Sequence, residues 1–319
     1  MSLLQVSGVS KKEAGNFVLK DISFSQNQLQ KIAIAGETGS GKSTLLKIIA
    51  GIVQPDNGHV LFENEKVKGP QEQLIAGHPQ IGYHSQYFEL RNHYRVEELL
   101  QMANQLQPEE AEVIFEVCRI THLLKRFTSQ LSGGERQRIA LAKLLVTNPS
   151  LLLLDEPYSN LDAIHKSILK TVITDISETL NYTCILVSHD PSDLLSWADE
   201  IMVLKDGVMV QRANPGEIYR EPVNDYVAAL FGPYTILNPS LAKAFSEFTD
   251  LEMNRINSFM RPCDFKIAEN GTTGVRGVIR KMKFLGGFYE LEVSLAGSCI
   301  LVHTNHGNLK EDDVVYISI

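Results

Sequence analysis

The alternation of apolar and polar positions splits the chain into strand-like, helix-like and irregular stretches. Leu4, Val6 and Val9, then Val18, Leu19, Ile22 and Phe24, give two strand patterns between Ser2 and about Gln28, separated by the polar turn 11–16. Ile32-Ala33-Ile34-Ala35 is a continuous apolar run, and Leu45 to Ala50 is amphipathic. Pro55-Asp56-Asn57-Gly58 marks a turn, followed by a short strand at 59–62. Residues 63–80 read as irregular, and 81–85 as a strand ending at Gln86. From Tyr94 to Phe127 the spacing becomes helical, through Val96, Leu99, Leu100 and Met102, then Val113, Ile114, Val117 and Ile120. Pro108-Glu109-Glu110 supplies a helix start within it.

The second half begins with a helical run, Ile139 to Val146. Leu151-Leu152-Leu153-Leu154 and Cys184-Ile185-Leu186-Val187 are unbroken apolar runs, as expected of strands covered on both faces of a parallel sheet. Between them a helix is predicted from an N-cap at Asp162 to about Thr179. A further helix is expected at 240–248. After Phe259 the pattern turns β-rich: Tyr289, Leu291 and Val293 alternate with Glu290 and Glu292. Gly271, Gly274, Gly277, Gly286, Gly287 and Gly297 mark turns or bulges there.

The chain has 319 residues, enough for about two domains. A net charge of −8 argues against nucleic acid as the main partner, since such proteins present a basic face. The four cysteines, Cys118, Cys184, Cys263 and Cys299, are scattered, which fits reduced thiols better than disulfides or a thiolate metal site. No apolar run approaches the ~18 residues of a membrane span. No secretory signal is visible at the N-terminus, so work at a membrane requires docking onto another chain.

The chemistry concentrates in a few places. Gly36-Glu37-Thr38-Gly39-Ser40-Gly41-Lys42-Ser43-Thr44 fits the phosphate-cradling pattern G-x-x-x-x-G-K-[ST], set between a strand and a helix as that motif requires. The glycines let backbone N–H groups approach a polyphosphate, and the helix N-terminus faces the same anion. Lys42 is expected at the β- and γ-phosphates and the Ser43 hydroxyl at Mg²⁺. The leucine run ends in Asp155 and Glu156, whose burial needs a compensating cation. Asp155 is expected to hold Mg²⁺ and Glu156 to polarise the attacking water. Gln86 has two open roles, at the metal or attacking water, or as an ordinary loop group. Ser132 and Glu135 form a capping box after Leu131, and Gly133 and Gly134 leave amides uncovered for an anion. His189 ends a strand on the ligand-binding edge of an open sheet, where it could bond a γ-phosphate. Phe17 could stack on adenine or pack in the strand layer. The other histidines, among them His84 and His165, read as surface or structural, and His303 and His306 as loop residues.

Taken in order, GETGSGKST, Gln86, LSGGERQR, LLLLDEP, SNLD and SHD resemble the ATP-binding subunit of ABC transporters, over residues 1 to about 232. The resemblance implies an α/β P-loop NTPase domain at 1–232 with a helical insert at about 90–130. It also implies head-to-tail homodimers in which each ATP lies between Gly36–Thr44 of one chain and Leu131–Glu135 of its twin. Asp162 of SNLD then belongs to the site, Gln86 couples it to a membrane permease subunit, and His189 holds the γ-phosphate. The family usually carries an adenine-stacking aromatic near Glu13 to Gly15, and here that turn has none.

Residues 216–232 look like the ending of importer subunits. The region 259–319, after a linker at 233–258, resembles the small β-barrel (TOBE-like) appended to them. The resemblance implies a peripheral importer ATPase on the cytoplasmic face of the inner membrane, served indirectly by a solute-binding protein. The alternatives are an exporter or lipoprotein-release ATPase, whose subunits usually stop near 232, and a soluble non-transport ABC protein.

Overall fold

The computed structural model describes residues 2–86, 90–248, 258–268 and 273–319. Gly271 and part of the expected linker (249–257) lie outside the described residues. The chain divides into two compact units, Met1–Pro215 and Gly216–Ile319.

The first unit is built from two sheets. β1 (Ser2–Glu13) and β2 (Asn16–Asn27) form a long antiparallel hairpin. Pairing runs to Glu13↔Asn16, so the polar run 11–16 is mostly strand and the turn is only two residues long. β3 (Lys31–Ala35) leads into the phosphate-loop motif and α1 (Lys42–Ile49). β4 (Asn57–Phe62) and β5 (Glu65–Lys66) complete an antiparallel sheet in the order β2-β1-β4-β5. The segment expected to be irregular therefore holds one short strand. β6 (Ile81–His84) precedes the helical insert, α2 (Val96–Ala103) and α3 (Pro108–Val117).

The motif-bearing elements follow. α4 (Gly133–Leu145) leads to β7 (Leu151–Asp155), α5 (Ala163–Glu178), β8 (Thr183–Val187), α6 (Pro191–Leu195), β9 (Glu200–Lys205) and β10 (Val208–Ala213). The second sheet runs β10-β9-β3-β8-β7-β6 and is parallel except for β10. Every residue of β7 and β8 is buried, as unbroken apolar runs demand. One core packs α1 (Leu45, Leu46, Ile48, Ile49) between the two sheets. Each such side chain contributes about 1.5–3 kcal/mol on burial. This parallel sheet places the ends of β3, β6, β7 and β8 along one edge, where ligands bind in open α/β folds.

The second unit contains most of α7 (Pro215–Arg220), with α8 (Asp225–Leu230), β11 (Thr235–Ile236) and α9 (Pro239–Ser246). β12 (Phe259–Met260) pairs with β11. β13 (Lys266–Ile267), β14 (Val275–Phe284), β15 (Tyr289–Leu295), β16 (Ser298–Thr304) and β17 (Val314–Ser318) form an antiparallel sheet ordered β13-β17-β14-β15-β16. Its two outer strands approach each other, so the sheet is barrel-like. Leu291, Val293 and Leu295 turn into its core with Leu241 and Phe245. His303 lies in β16 rather than in a loop, its ring against Phe288.

Residues 216–232, expected with the ATPase domain, group by contacts with this second unit, where Arg261 gathers their carbonyls. Its guanidinium is buried and donates to the carbonyls of Tyr219, Ala228, Gly232 and Pro233. It also lies over the Tyr219 ring, 4.4 Å from the centroid.

Candidate functional site

Four strand ends deliver the side chains of the site. After β3 the loop turns through Gly41, which caps α1 at φ 98°. A Cβ there would lie 2.5 Å from the Val18 carbonyl, so only glycine lets the hairpin approach this closely. Lys42 follows, 6% exposed, with Nζ donating to the carbonyls of Gly36 (2.8 Å) and Glu37 (2.7 Å) and to Ser40 Oγ (3.4 Å). Burial pulls its pKa down, while Glu156, Asp155 and Glu37 oppose that.

Asp155 ends β7 and is 2% exposed. Its Oδ1 accepts from Ser43 Oγ at 2.9 Å, and its Oδ2 from the Tyr83 hydroxyl at 2.8 Å. Among the described residues it makes no ion pair. A buried carboxylate bonded to two hydroxyls, one of them the Ser43 oxygen, fits a hard divalent cation such as Mg²⁺. Glu156 takes a left-handed backbone, φ 50°, with its N–H bonded to the Val187 carbonyl at 3.0 Å. That conformation is costly for a non-glycine residue. Glu156 Oε2 lies 2.5 Å from His189 Nδ1 and accepts from Ser159 Oγ at 3.1 Å.

A cleft of about 470 Å³ is lined by Thr38, Gly39, Gly41, Lys42, Ser43, Thr44, Gln86, Glu156 and His189, with Glu13 and Val18 of the hairpin. Gln86, Glu156 and His189 also line an adjoining cleft of about 370 Å³, which continues to Ser159 and Asp190. Gly36, Glu37 and Ser40 stand behind the first cleft through Lys42, and Asp155 through Ser43. Phe17 is not among the lining residues. It is 45% exposed, and the Lys12 ammonium sits 4.5 Å from its ring centroid, while its neighbours Glu13 and Val18 line the cleft.

Leu131 to Glu135 line neither cleft. Ser132 caps α4, donating its backbone N–H to Glu135 Oε2 (2.7 Å) and accepting from the Glu135 N–H at 3.3 Å. Ser132 and Gly133 are exposed. Asp162 caps α5, accepting from the N–H groups of Ile164 and His165, and it too lines neither cleft. His165, read as surface or structural, packs over Gly134 and pairs with Asp162 at 2.6 Å. His84 is buried, and burial pushes its pKa down to about 4.

Two groups were not found from the sequence. Tyr83 holds Asp155 across residues far apart in the chain. Lys166 reaches Asp190 (2.6 Å) and buried Asp193 (2.9 Å), bracketing the His189 turn, while Ser188 Oγ donates to Asp193 at 2.9 Å. Strand parity puts Tyr83 on one face of its strand but not beside Asp155, and no local signal marks Lys166.

Residues 19–159 match the ABC transporter family model. The chain is 33% identical over 312 residues to the sulfate/thiosulfate import ATP-binding protein CysA of Synechococcus elongatus, covering 94% of this chain and 88% of that one. It is 31% identical to the spermidine/putrescine import ATP-binding protein PotA of Clostridium acetobutylicum, covering 95% and 91%. Among solved structures, a dimeric post-hydrolysis state of the ATP-binding cassette MJ0796 bound to ADP and Pi superposes with a TM-score of 0.57 at 26% identity. That match covers 66% of this chain and 98% of the other. No helix among the described residues is long and apolar enough to cross a membrane.

Proposed function

The chain belongs to the ATP-binding subunits of ABC transporters, and from that premise we propose that it hydrolyses ATP between two head-to-tail copies of itself to power solute import. The observation that carries this reading is the pairing of Glu156 with His189 at 2.5 Å on the wall of the phosphate-loop cleft.

The triphosphate lies along Thr38–Thr44, with the loop amides and Lys42 against its oxygens. To reach it, the Lys42 ammonium exchanges loop carbonyls for phosphate oxygens. Ser43 and Asp155 would hold Mg²⁺, which when bound offsets charge on the phosphates. Glu156 takes the proton of the attacking water. His189 uses Nδ1 for Glu156, leaving Nε2 for the γ-phosphate, and Gln86 stands beside both.

One copy lacks a second wall for this cleft. Ser132 and Gly133 at the start of α4 are exposed and line neither cleft of their own chain, while Gly134 is buried under His165 and the Glu135 N–H is taken by Ser132. A twin's Leu131–Glu135 supplies that wall, as the capped helix N-terminus suits an anion. The subunit docks on integral membrane permeases at the cytoplasmic face of the inner membrane, with a solute-binding protein upstream. The two relatives named above carry cargoes of opposite charge at near-equal identity, so cargo choice lies in those other subunits.

Sedimentation of Glu156→Gln tests the arrangement. With saturating Mg²⁺ and ATP it is expected to form a stable dimer, and adding Ser132→Arg to abolish the dimer while nucleotide binding persists. A Glu156→Gln protein that binds ATP and stays monomeric overturns the shared site.

A further inference from the structure

Tyr83 belongs to none of the motifs, yet it touches the centre of the site. Side chains alternate along a strand, so Ile81 and Tyr83 share one face of β6, and Leu151, Leu153 and Asp155 one face of β7. The two strands run parallel with Tyr83 opposite Leu153. Ile81, Leu151 and Leu153 sit in the core with α1, and Tyr83 packs against that core. Its hydroxyl reaches past Leu153 to Asp155 and donates to Oδ2 at 2.8 Å. Oδ1 is left to Ser43, 2.9 Å away. One hydroxyl thus holds each oxygen of a buried carboxylate. Ser85 hydrogen-bonds the Tyr83 phenol.

We propose that Tyr83 is a positioning residue for the divalent cation of this site, holding Oδ2 so that Oδ1 and Ser43 Oγ face the ion as a preset pair. The proposal rests on the nucleotide reading above. The terminal torsion of an aspartate is broad and soft, so a carboxylate released at Oδ2 samples orientations that metal binding must then order. Loss of such an outer partner typically costs about 10–100-fold in metal affinity.

Tyr83→Phe keeps the ring and deletes only the donor. Mn²⁺ is titrated into the protein with a non-hydrolysable ATP analogue, and free Mn²⁺ is read by electron paramagnetic resonance. The expected result is an apparent dissociation constant for Mn²⁺ raised about tenfold. Analogue binding in EDTA should be unchanged, and hydrolysis should recover most of its rate when Mg²⁺ is raised to saturation. Unchanged Mn²⁺ affinity overturns the proposal. So does weakened analogue binding in EDTA, which marks a general loosening of the cleft. Asp155→Asn is the control: if it leaves Mn²⁺ binding intact, the metal site itself is misassigned and the role of Tyr83 falls with it.

Discussion

Nδ1 of His189 lies 2.5 Å from Oε2 of Glu156, an oxygen that also accepts from Ser159 Oγ. The two residues come from adjacent strand ends, and the Glu156 N–H bonds the last carbonyl of β8. When Glu156 carries its charge Nδ1 is the donor, so Nε2 can also donate to a phosphate oxygen only in the doubly protonated ring.

Glu156→Gln should therefore lower kcat by about 10²–10⁴-fold while leaving nucleotide affinity intact. His189→Ala should also be slow. Because the two act as one unit, the double variant should be little worse than the slower single. Steady-state hydrolysis with a parallel fluorescent-nucleotide titration reads both quantities. Near wild-type turnover in Glu156→Gln would remove it as the base.

Gly134 sits in the first turn of α4, where alanine would ordinarily favour the helix by about 1 kcal/mol. Here a Cβ would fall 2.6 Å from His165 Cδ2 and 3.0 Å from its Cβ, and the ring is tied to Asp162. Gly134→Ala should accordingly lose about 1–3 kcal/mol in denaturant unfolding. Gly134→Ala combined with His165→Ala should regain that loss relative to His165→Ala alone. A stabilised single variant would mean that the imidazole moves aside freely.

Asp190 carries a pH signature. Burial alone would raise its pKa, but hydrogen bonds from Lys166 and Ser192 and the charge of Lys166 overcome it and hold the carboxyl at about 2. Its folded value lies below the unfolded one, so ionised Asp190 stabilises the fold above about pH 4, and that contribution fades as pH falls to about 2. Asp190→Asn keeps a helix-capping side chain and loses the charge. The stability gap between wild type and Asp190→Asn should be full at pH 5–7 and should close between about pH 4 and pH 2. A gap that does not change with pH would refute the assignment.

The phosphate loop, the acidic end of the leucine run, the capped α4 and the SHD turn were legible because each depends on neighbours in sequence. The hairpin was legible as two strands, but its register was not. Carrying the pairing to Glu13↔Asn16 put Phe17 opposite Lys12 and left Glu13 and Val18 on the cleft. Tyr83 and Asp155 lie in different strands, and their meeting depends on the parallel pairing of β6 and β7, which no local pattern prints. The same holds for Lys166, whose partners lie beyond a whole helix and strand. His84 looked like an ordinary polar residue because burial in a parallel sheet is set by the layers on both faces.

Arg261 also determines where the polypeptide can be severed. A fragment ending at 232 would carry away the carbonyls of Tyr219, Ala228 and Gly232 and strand their guanidinium in the remainder. A cut behind Pro215 instead leaves the arginine and all four of its acceptors on the same piece.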